Sequence, residues 1–296
     1  MGFSSLDDFI NESTTNGKFY RADWNKNVFP TPAQTAGTWY CLSQGAGNPS
    51  ANTVFGTGTN LKFQSMDDTI AGAIQHGGNV STDTKHIVNA SAFSAAATTM
   101  PAVFMLVDLL GFYPITTTTT TGAQTLDNTV TIPRYTSGAG VQAFITPSTV
   151  YGAGTPTVTL TYTNSAGTAS RTTPSSPALP TETTAAPVGS ITYSGTGSGK
   201  YGPFIPLAAG DSGIRSVQSI NFSATHTSGV ANLVLCRPLL TLPMTTIGVA
   251  AERDLLNQVP SLPRVYDGAH LCWLMYAGAA TPVNSAFYGH LDFAWG

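Results

Sequence analysis

The stretch Val158-Thr159-Leu160-Thr161-Tyr162-Thr163-Asn164-Ser165-Ala166-Gly167-Thr168-Ala169-Ser170-Arg171-Thr172 decides the fold class. Its first residues alternate strictly between apolar side chains and threonine. A period of two puts Val158, Leu160 and Tyr162 on one face of a strand and the hydroxyls on the other. Asn164-Ser165-Ala166-Gly167 is turn chemistry, and the chain returns over 168–172, so the segment reads as a hairpin with one buried face and one threonine-coated face. Working outward, similar short signals recur at 130–135, 141–146, 157–163, 168–173, 190–194, 214–223 and 231–237. Seven strands at this spacing predict a mainly β protein, an antiparallel β-sandwich of Ig-like or jelly-roll type, with a few short helices. The stretch 174–187, with four prolines among Ser, Thr and Ala, interrupts them as a long loop or arm.

On the N-terminal side, Ser5 is placed to cap a short helix with Asp8 three residues on, and Leu6, Phe9 and Ile10 form its apolar stripe. Residues 20–24, 38–42, 70–75 and 85–90 read as extended, and 45–60 as turns. Pro101 followed by Ala102-Val103-Phe104-Met105-Leu106-Val107 has no polar face, which suits a buried helix or a buried strand, and helix is the expectation. The six threonines from Thr116 to Thr121 predict an extended connector between two layers. Beyond Pro243, the cluster Glu252-Arg253-Asp254 sits in a short helix over 250–258, and 271–276 and 286–293 are closing strands. The expected organisation is a β-rich region with a short helix over 1–115, the connector 116–122, the sandwich 123–246, and a closing helix and strands over 247–296.

Composition narrows the function. Of 296 residues, 42% are hydrophobic, enough for a full core, but only 9% are charged, where ordinary domains sit near ~25%. Threonine occurs 44 times, beside 30 glycines and 19 prolines. A net charge of −3 offers no basic stripe for phosphates, so direct nucleic-acid binding is not expected. Three glutamates and five lysines are too few for a coiled coil. The apolar run 102–113 contains Asp108 and is too short to span a bilayer. Met1 to Asp8 shows neither the basic nor the apolar region of a signal peptide, so the chain is expected to be made in a cytoplasm. Cys41, Cys236 and Cys272 are odd in number and widely spaced, and each sits beside bulky apolar residues; buried free thiols are expected.

Three motifs suggest chemistry and then fail on it. Gly210-Asp211-Ser212-Gly213 copies the nucleophile turn of chymotrypsin-like proteases, with His76 and Asp108 in the right order upstream. However, Ile214 stands where that family has glycine, and Asp108 lies in an apolar run. Ser194-Gly195-Thr196-Gly197-Ser198-Gly199-Lys200-Tyr201 resembles a phosphate loop but lacks its first glycine and its metal-binding hydroxyl, and Gly202-Pro203 cannot start the required helix. His76 and His86 around Asp83 match no recurrent ligand spacing. No catalytic, cofactor-binding or metal-binding residues are therefore assigned, and no cofactor is expected.

Residues 159–172, Gly210-Asp211-Ser212-Gly213-Ile214-Arg215-Ser216-Val217 and Leu262-Pro263-Arg264-Val265-Tyr266-Asp267-Gly268-Ala269 resemble segments of structural proteins of tailed bacteriophages. The opening helix followed by Gly17-Lys18-Phe19-Tyr20-Arg21-Ala22-Asp23-Trp24 is similar to the same group. The resemblance implies a virion component without catalysis: a capsid decoration, cement or head-associated protein, or a tail-tube or baseplate part. A major capsid protein is a further alternative, ranked lower because the long spine helix of that group has no counterpart in this sequence. An adhesion or carbohydrate-binding module is the other reading, with Trp24, Trp39 and Tyr40 as its aromatics. The expected partners are other copies of the chain, in a trimer or larger ring, and virion proteins such as the major capsid protein. The candidate interface is Phe3, Leu6, Phe9 and Ile10 on the short helix, with Phe293 and Trp295 on an apolar tail past the last strand.

Overall fold

A computed structural model describes residues 2–27, 36–94, 100–175, 179, 188–191, 202–258, 262–281 and 285–296. In chain order, α1 (Leu6–Ile10), continued by a π-helical turn (Asn11–Thr15), precedes β1 (Phe19–Asn27), β2 (Thr38–Cys41), β3 (Gly47–Asn48) and β4 (Gln64–Ser65). Then come β5 (Lys85–Phe93), β6 (Ala102–Ile115), β7 (Gly122–Thr125), β8 (Gln142–Thr149), β9 (Val158–Asn164) and β10 (Arg171–Thr172). They are followed by β11 (Ser190–Ile191), β12 (Ile214–Phe222), β13 (Val230–Met244), β14 (Ala251–Asp254), α2 (Leu255–Gln258), β15 (Arg264–Val265), β16 (Leu271–Ala277) and β17 (Ala286–Trp295). The protein is mainly β and antiparallel, a β-sandwich with short helices.

Among the described residues the strands form three sheets. The first runs β14-β5-β17-β1-β3, with β15 also on β5. The central one runs β11-β2-β16-β6-β13-β8, with β4 also on β6, and the third runs β10-β9-β12-β7. Side-chain alternation shows how they stack. Phe104 and Leu106 of β6, Leu240 and Leu242 of β13, and Trp273 of β16 pack with Trp24, Ile87 and Phe293 of the first sheet. Farther along the same strands, Tyr113, Ile115, Leu233 and Leu235 pack with Leu160, Tyr162, Val217 and Ile220 of the third sheet. The opposite face carries Val107, Leu109, Phe144, Val234 and Cys272, roofed by Phe55, Met66 and Phe204. The first and third sheets thus lie side by side on one face of the long central sheet, making two sandwiches with a shared wall.

At the seam between them sits an ion pair. Asp108 and Arg134 are both buried and joined twice, Nε to Oδ2 at 2.9 Å and Nη2 to Oδ1 at 2.7 Å. Arg134 Nη2 also donates to the carbonyls of Met66 and Leu109, and the backbone N–H of His270 donates to Asp108 Oδ1 at 3.0 Å. Burial raises the Asp108 pKa, and Arg134 opposes that rise.

The hairpin that decides the fold class forms, with its returning arm, expected over 168–173, paired at Arg171 and Thr172. Val158, Leu160 and Tyr162 are buried between half-exposed threonines. Asn164 shapes the turn, its Oδ1 accepting the Thr168 N–H and its carbonyl the Gly167 N–H. Ser5 caps α1 by accepting the Asp8 N–H at 3.1 Å, and the Asp8 carboxylate reaches back to the Ser4 N–H.

Five local expectations are corrected. Residues 102–107 belong to a strand, because β6 is buried on both faces and such strands read as unbroken apolar runs. Glu252-Arg253-Asp254 lies in β14, paired with Ser91, Ala90 and Asn89 of β5, and only α2 behind it is helical. Residues 130–135 and 70–75 form no strand: the first is fixed by Arg134 entering the seam, the second by turns and a single bridge from Ile74 to Leu271. The threonine run does join two layers, but as a turn, with Thr120 N–H on the Thr117 carbonyl and Thr118 buried against the Gly229 carbonyl. The central sheet draws β2, β4 and β6 from 1–115, β8, β11 and β13 from 123–246, and β16 from 247–296.

Candidate contact surfaces

The residues of the protease-like order lie in three separate settings. Asp108 is bound to Arg134. His76 is buried, its Nδ1 accepting from Lys85 Nζ at 3.0 Å and its Nε2 lying 3.2 Å from Asp68. Ser212 Oγ is exposed and 3.1 Å from Ser165 Oγ. The neighbouring Asp211 is the structural member of that turn. Hydrogen bonds from Arg171, Tyr162 and Asn164 hold its pKa down to about 2, and it ties the β9–β10 hairpin to the turn before β12. Among the described residues no three His, Cys, Asp or Glu side chains converge as metal ligands, and no helix is long and apolar enough to cross a membrane. The loop 194–201 lies outside the described residues apart from the neighbouring Gly202.

The three cysteines are free and buried, and one core holds them all. They come from β2, β13 and β16, and Cys41 and Cys272 are close enough to hydrogen-bond. Burial raises the Cys236 and Cys272 pKa values well above the ordinary thiol range. Thiol titration of the denatured, unreduced protein is expected to count three groups; a count of one contradicts this arrangement.

The candidate interface residues divide into two sets. Phe3 and Phe9 pack edge to face at 5.1 Å, and Phe3 also meets His86 and Gly296 of its own chain. Lys18 bridges Glu12 and Asp83 at 2.7 and 2.9 Å, pinning the helical segment to the body. Leu6 and Ile10 face outward, 64% and 48% exposed. Phe293 and Trp295 do not extend past the last strand but belong to β17, in the middle of the first sheet. Phe293 is fully buried in the chain's own core, and Trp295 is half-buried with Lys85 Nζ 5.3 Å from its ring. The outward apolar surface of the termini is therefore Leu6 and Ile10.

Two further surfaces were not anticipated. The outer face of the first sheet has a cavity of about 500 Å3 lined by Asp23, Asn25, Phe93, Glu252, Tyr288 and His290, among others. Phe93 and Tyr288 pair across β5 and β17 and stack at 5.4 Å with both rings exposed. Ser91 Oγ lies 2.8 Å from His290 Nδ1, and Asn89 donates to Glu252 at 2.7 Å. Three carboxylates, Asp292, Asp23 and Glu252, act on the single guanidinium of Arg21, whose pKa rises chiefly through its hydrogen bonds to Asp292. The face is acidic and aromatic.

The second surface is a groove at the seam, two adjoining cavities of about 470 and 300 Å3 that share Tyr135, Arg264 and Tyr266. Arg264 lies over the Tyr266 ring at 4.2 Å, Tyr266 meets Tyr135 edge to face at 4.8 Å, and Arg237 lies 5.7 Å from the Tyr135 ring. Gly140, at φ +66°, leaves the space the Arg237 guanidinium occupies, and a Cβ there would collide with Nη1. Among the described residues no carboxylate lies within 4.0 Å of either arginine. Arg237 donates once, to the Ala139 carbonyl. No protein-family model, no curated protein and no solved structure matches this chain.

Proposed function

We propose that this chain is a non-enzymatic structural component of a tailed-phage virion, a capsid decoration, cement or head-associated protein that assembles with itself and binds the particle lattice. The observation that carries this reading is the apolar surface left open on a chain with few charges. Leu6, Ile10 and Val249 are 64%, 48% and 58% exposed, and Phe93, Ile247, Leu256 and Tyr288 are exposed as well. Side chains of this kind gain by being covered, and a 9% charged chain has little repulsion to hold copies apart. The resemblance of several segments to phage structural proteins supports the same reading. A tail-tube or baseplate role draws on the same support. The adhesion reading loses the aromatics it relied on, since Trp24, Trp39 and Tyr40 are all buried.

Mass spectrometry of separated heads and tails from particles containing the chain tests the assignment. Recovery in the head fraction is the expected result, recovery in tails moves the protein to the tail, and absence from particles overturns the reading. The helix is tested separately. Leu6→Glu with Ile10→Glu is expected to leave circular dichroism unchanged, because both side chains already face water, and to lower the assembled fraction in light scattering. Unchanged assembly would remove α1 from the interface.

A further inference from the structure

We infer that copies of this chain associate head to tail, the arginine–tyrosine groove of one copy receiving the acidic, aromatic face of the next. The inference rests on the assembling role proposed above and names the two surfaces involved.

Three observations carry it. The first is unspent hydrogen-bonding capacity. Arg21, Arg134 and Arg171 are each paired with an aspartate, whereas Arg237 and Arg264 converge on one groove with no carboxylate of the described residues within 4.0 Å of either. A guanidinium stacked on a tyrosine ring keeps its in-plane N–H edge free, which is the edge that grips a carboxylate with two parallel bonds. Gly140 keeps open the place where Arg237 sits. The groove's own acids, Asp83 and Asp267, line the larger cavity beside Lys85 and not the one that holds Arg237; Asp83 is paired with Lys18 and Asp267 accepts the Val80 N–H.

The second is complementarity. The other face presents Asp23, exposed and, among the described residues, with no basic group within 4.0 Å, and Glu252, held by a neutral amide from Asn89. The Arg21 guanidinium on which both act is bonded to Asp292. Both flank the exposed Phe93–Tyr288 stack. Arginine and tyrosine are residue types that concentrate binding energy at interface centres, and a carboxylate is the partner that a guanidinium grips with two bonds. The exposed Val249 and Ile247 border this face, because Gly248 N–H bonds the Ser94 carbonyl and Ala251 pairs with Ala92. They add apolar area that a docked copy would cover.

The third is placement. Lys85 at the start of β5 lines the groove and Phe93 at its end lines the acidic face. Eight residues of strand separate them by ~26 Å. Two complementary patches at opposite ends of one strand cannot satisfy each other within one copy. They make a heterologous contact, which closes into a ring or runs on as an open array.

Charge reversal tests this on the full chain. Arg237→Glu with Arg264→Glu gives a copy whose two surfaces are both acidic, and Asp23→Arg with Glu252→Arg gives one whose two surfaces are both basic. Each variant alone is expected to need at least tenfold more protein to assemble in light scattering. An equimolar mixture is expected to recover assembly as an alternating array, since each acidic groove then meets a basic face. Variants that assemble like the unaltered chain overturn the contact while leaving the particle role standing, and so does a mixture that stays dissociated. An unaltered chain that stays monomeric in solution also overturns it, while the particle role is decided by the head and tail fractions. Circular dichroism checks that the variants fold. If a reversal does not fold, Arg237→Gln with Arg264→Gln and Asp23→Asn with Glu252→Gln replace it, and each is expected to weaken assembly several-fold; no change under either pair overturns the contact.

Discussion

Arg134→Leu is expected to destabilise the protein by about 3–5 kcal/mol, the usual result of leaving one member of a buried ion pair alone. The side chains of Arg134 and Asp108 are 6% and 1% exposed, so water cannot replace the lost partner. Arg134 also serves the Met66 and Leu109 carbonyls, which stay buried when it is removed. Asp108 keeps only the His270 N–H, too little to hold a carboxylate in the seam between two apolar cores. Urea unfolding measures the effect. Adding Asp108→Leu is expected to restore part of the loss, because the unpaired charge goes, though the His270 N–H and two carbonyls then lack partners. An Arg134→Leu protein within about 1 kcal/mol of the original would show that the seam does not depend on this pair.

Acid is expected to unfold the protein through its histidines. Burial pulls the His270 pKa down to about 4, and His76, His86 and His226 are also lowered by burial. His270 Nδ1 lies 2.9 Å from the Asp67 carbonyl, which sets Nδ1 as the protonated nitrogen, and the buried Nε2 has no acceptor for a second proton. His226 has the same arrangement, with Nδ1 on the Gly152 carbonyl and its ring stacked on Tyr151 at 4.5 Å. Between the folded value near 4 and the unfolded value near ~6.5 the unfolded chain binds more protons, so stability rises with pH and is lost as pH falls through that window. His270 alone contributes ~3 kcal/mol to the loss across that window. Below that window Asp211 adds its own loss, since a carboxylate held near 2 stops stabilising the hairpin once it is protonated. Urea midpoints at steps from pH 7 to 4 check the slope, and His270→Asn is expected to flatten it. An unchanged slope in that variant would move the effect to other groups.

Features that depend on neighbours along the chain are legible in the amino-acid sequence. The period of two in β9 and the side-chain chemistry of Asn164 and Gly167 specify a hairpin whatever it packs on, and Ser5 with Asp8 specifies the start of α1. Strand spacing carried the antiparallel β class, and the bulky apolar neighbours of each cysteine carried the buried thiols. β6 needed its packing partners to be identified, because a strand covered on both faces has no polar face and its apolar run suits a helix equally well. β14 is a strand because β5 offers an edge to pair with, which overrides the local helix signal of Glu252-Arg253-Asp254. Residues 130–135 had β-like composition but are shaped by Arg134 reaching a carboxylate 26 positions away in the chain. The contact surfaces were hidden for the same reason. Arg134-Tyr135 and Arg264-Val265-Tyr266 are visible as basic–aromatic pairs, yet their meeting with Arg237 depends on β15 joining β5 and on the seam bringing β13 beside them. Phe293 and Trp295 look like a tail in the sequence for want of a nearby partner, and β1 and β5, more than 190 residues upstream, put them inside the first sheet. Side-chain alternation and capping are short-range and survive in the bare sequence. Which face is covered, and by what, is set by contacts between distant segments.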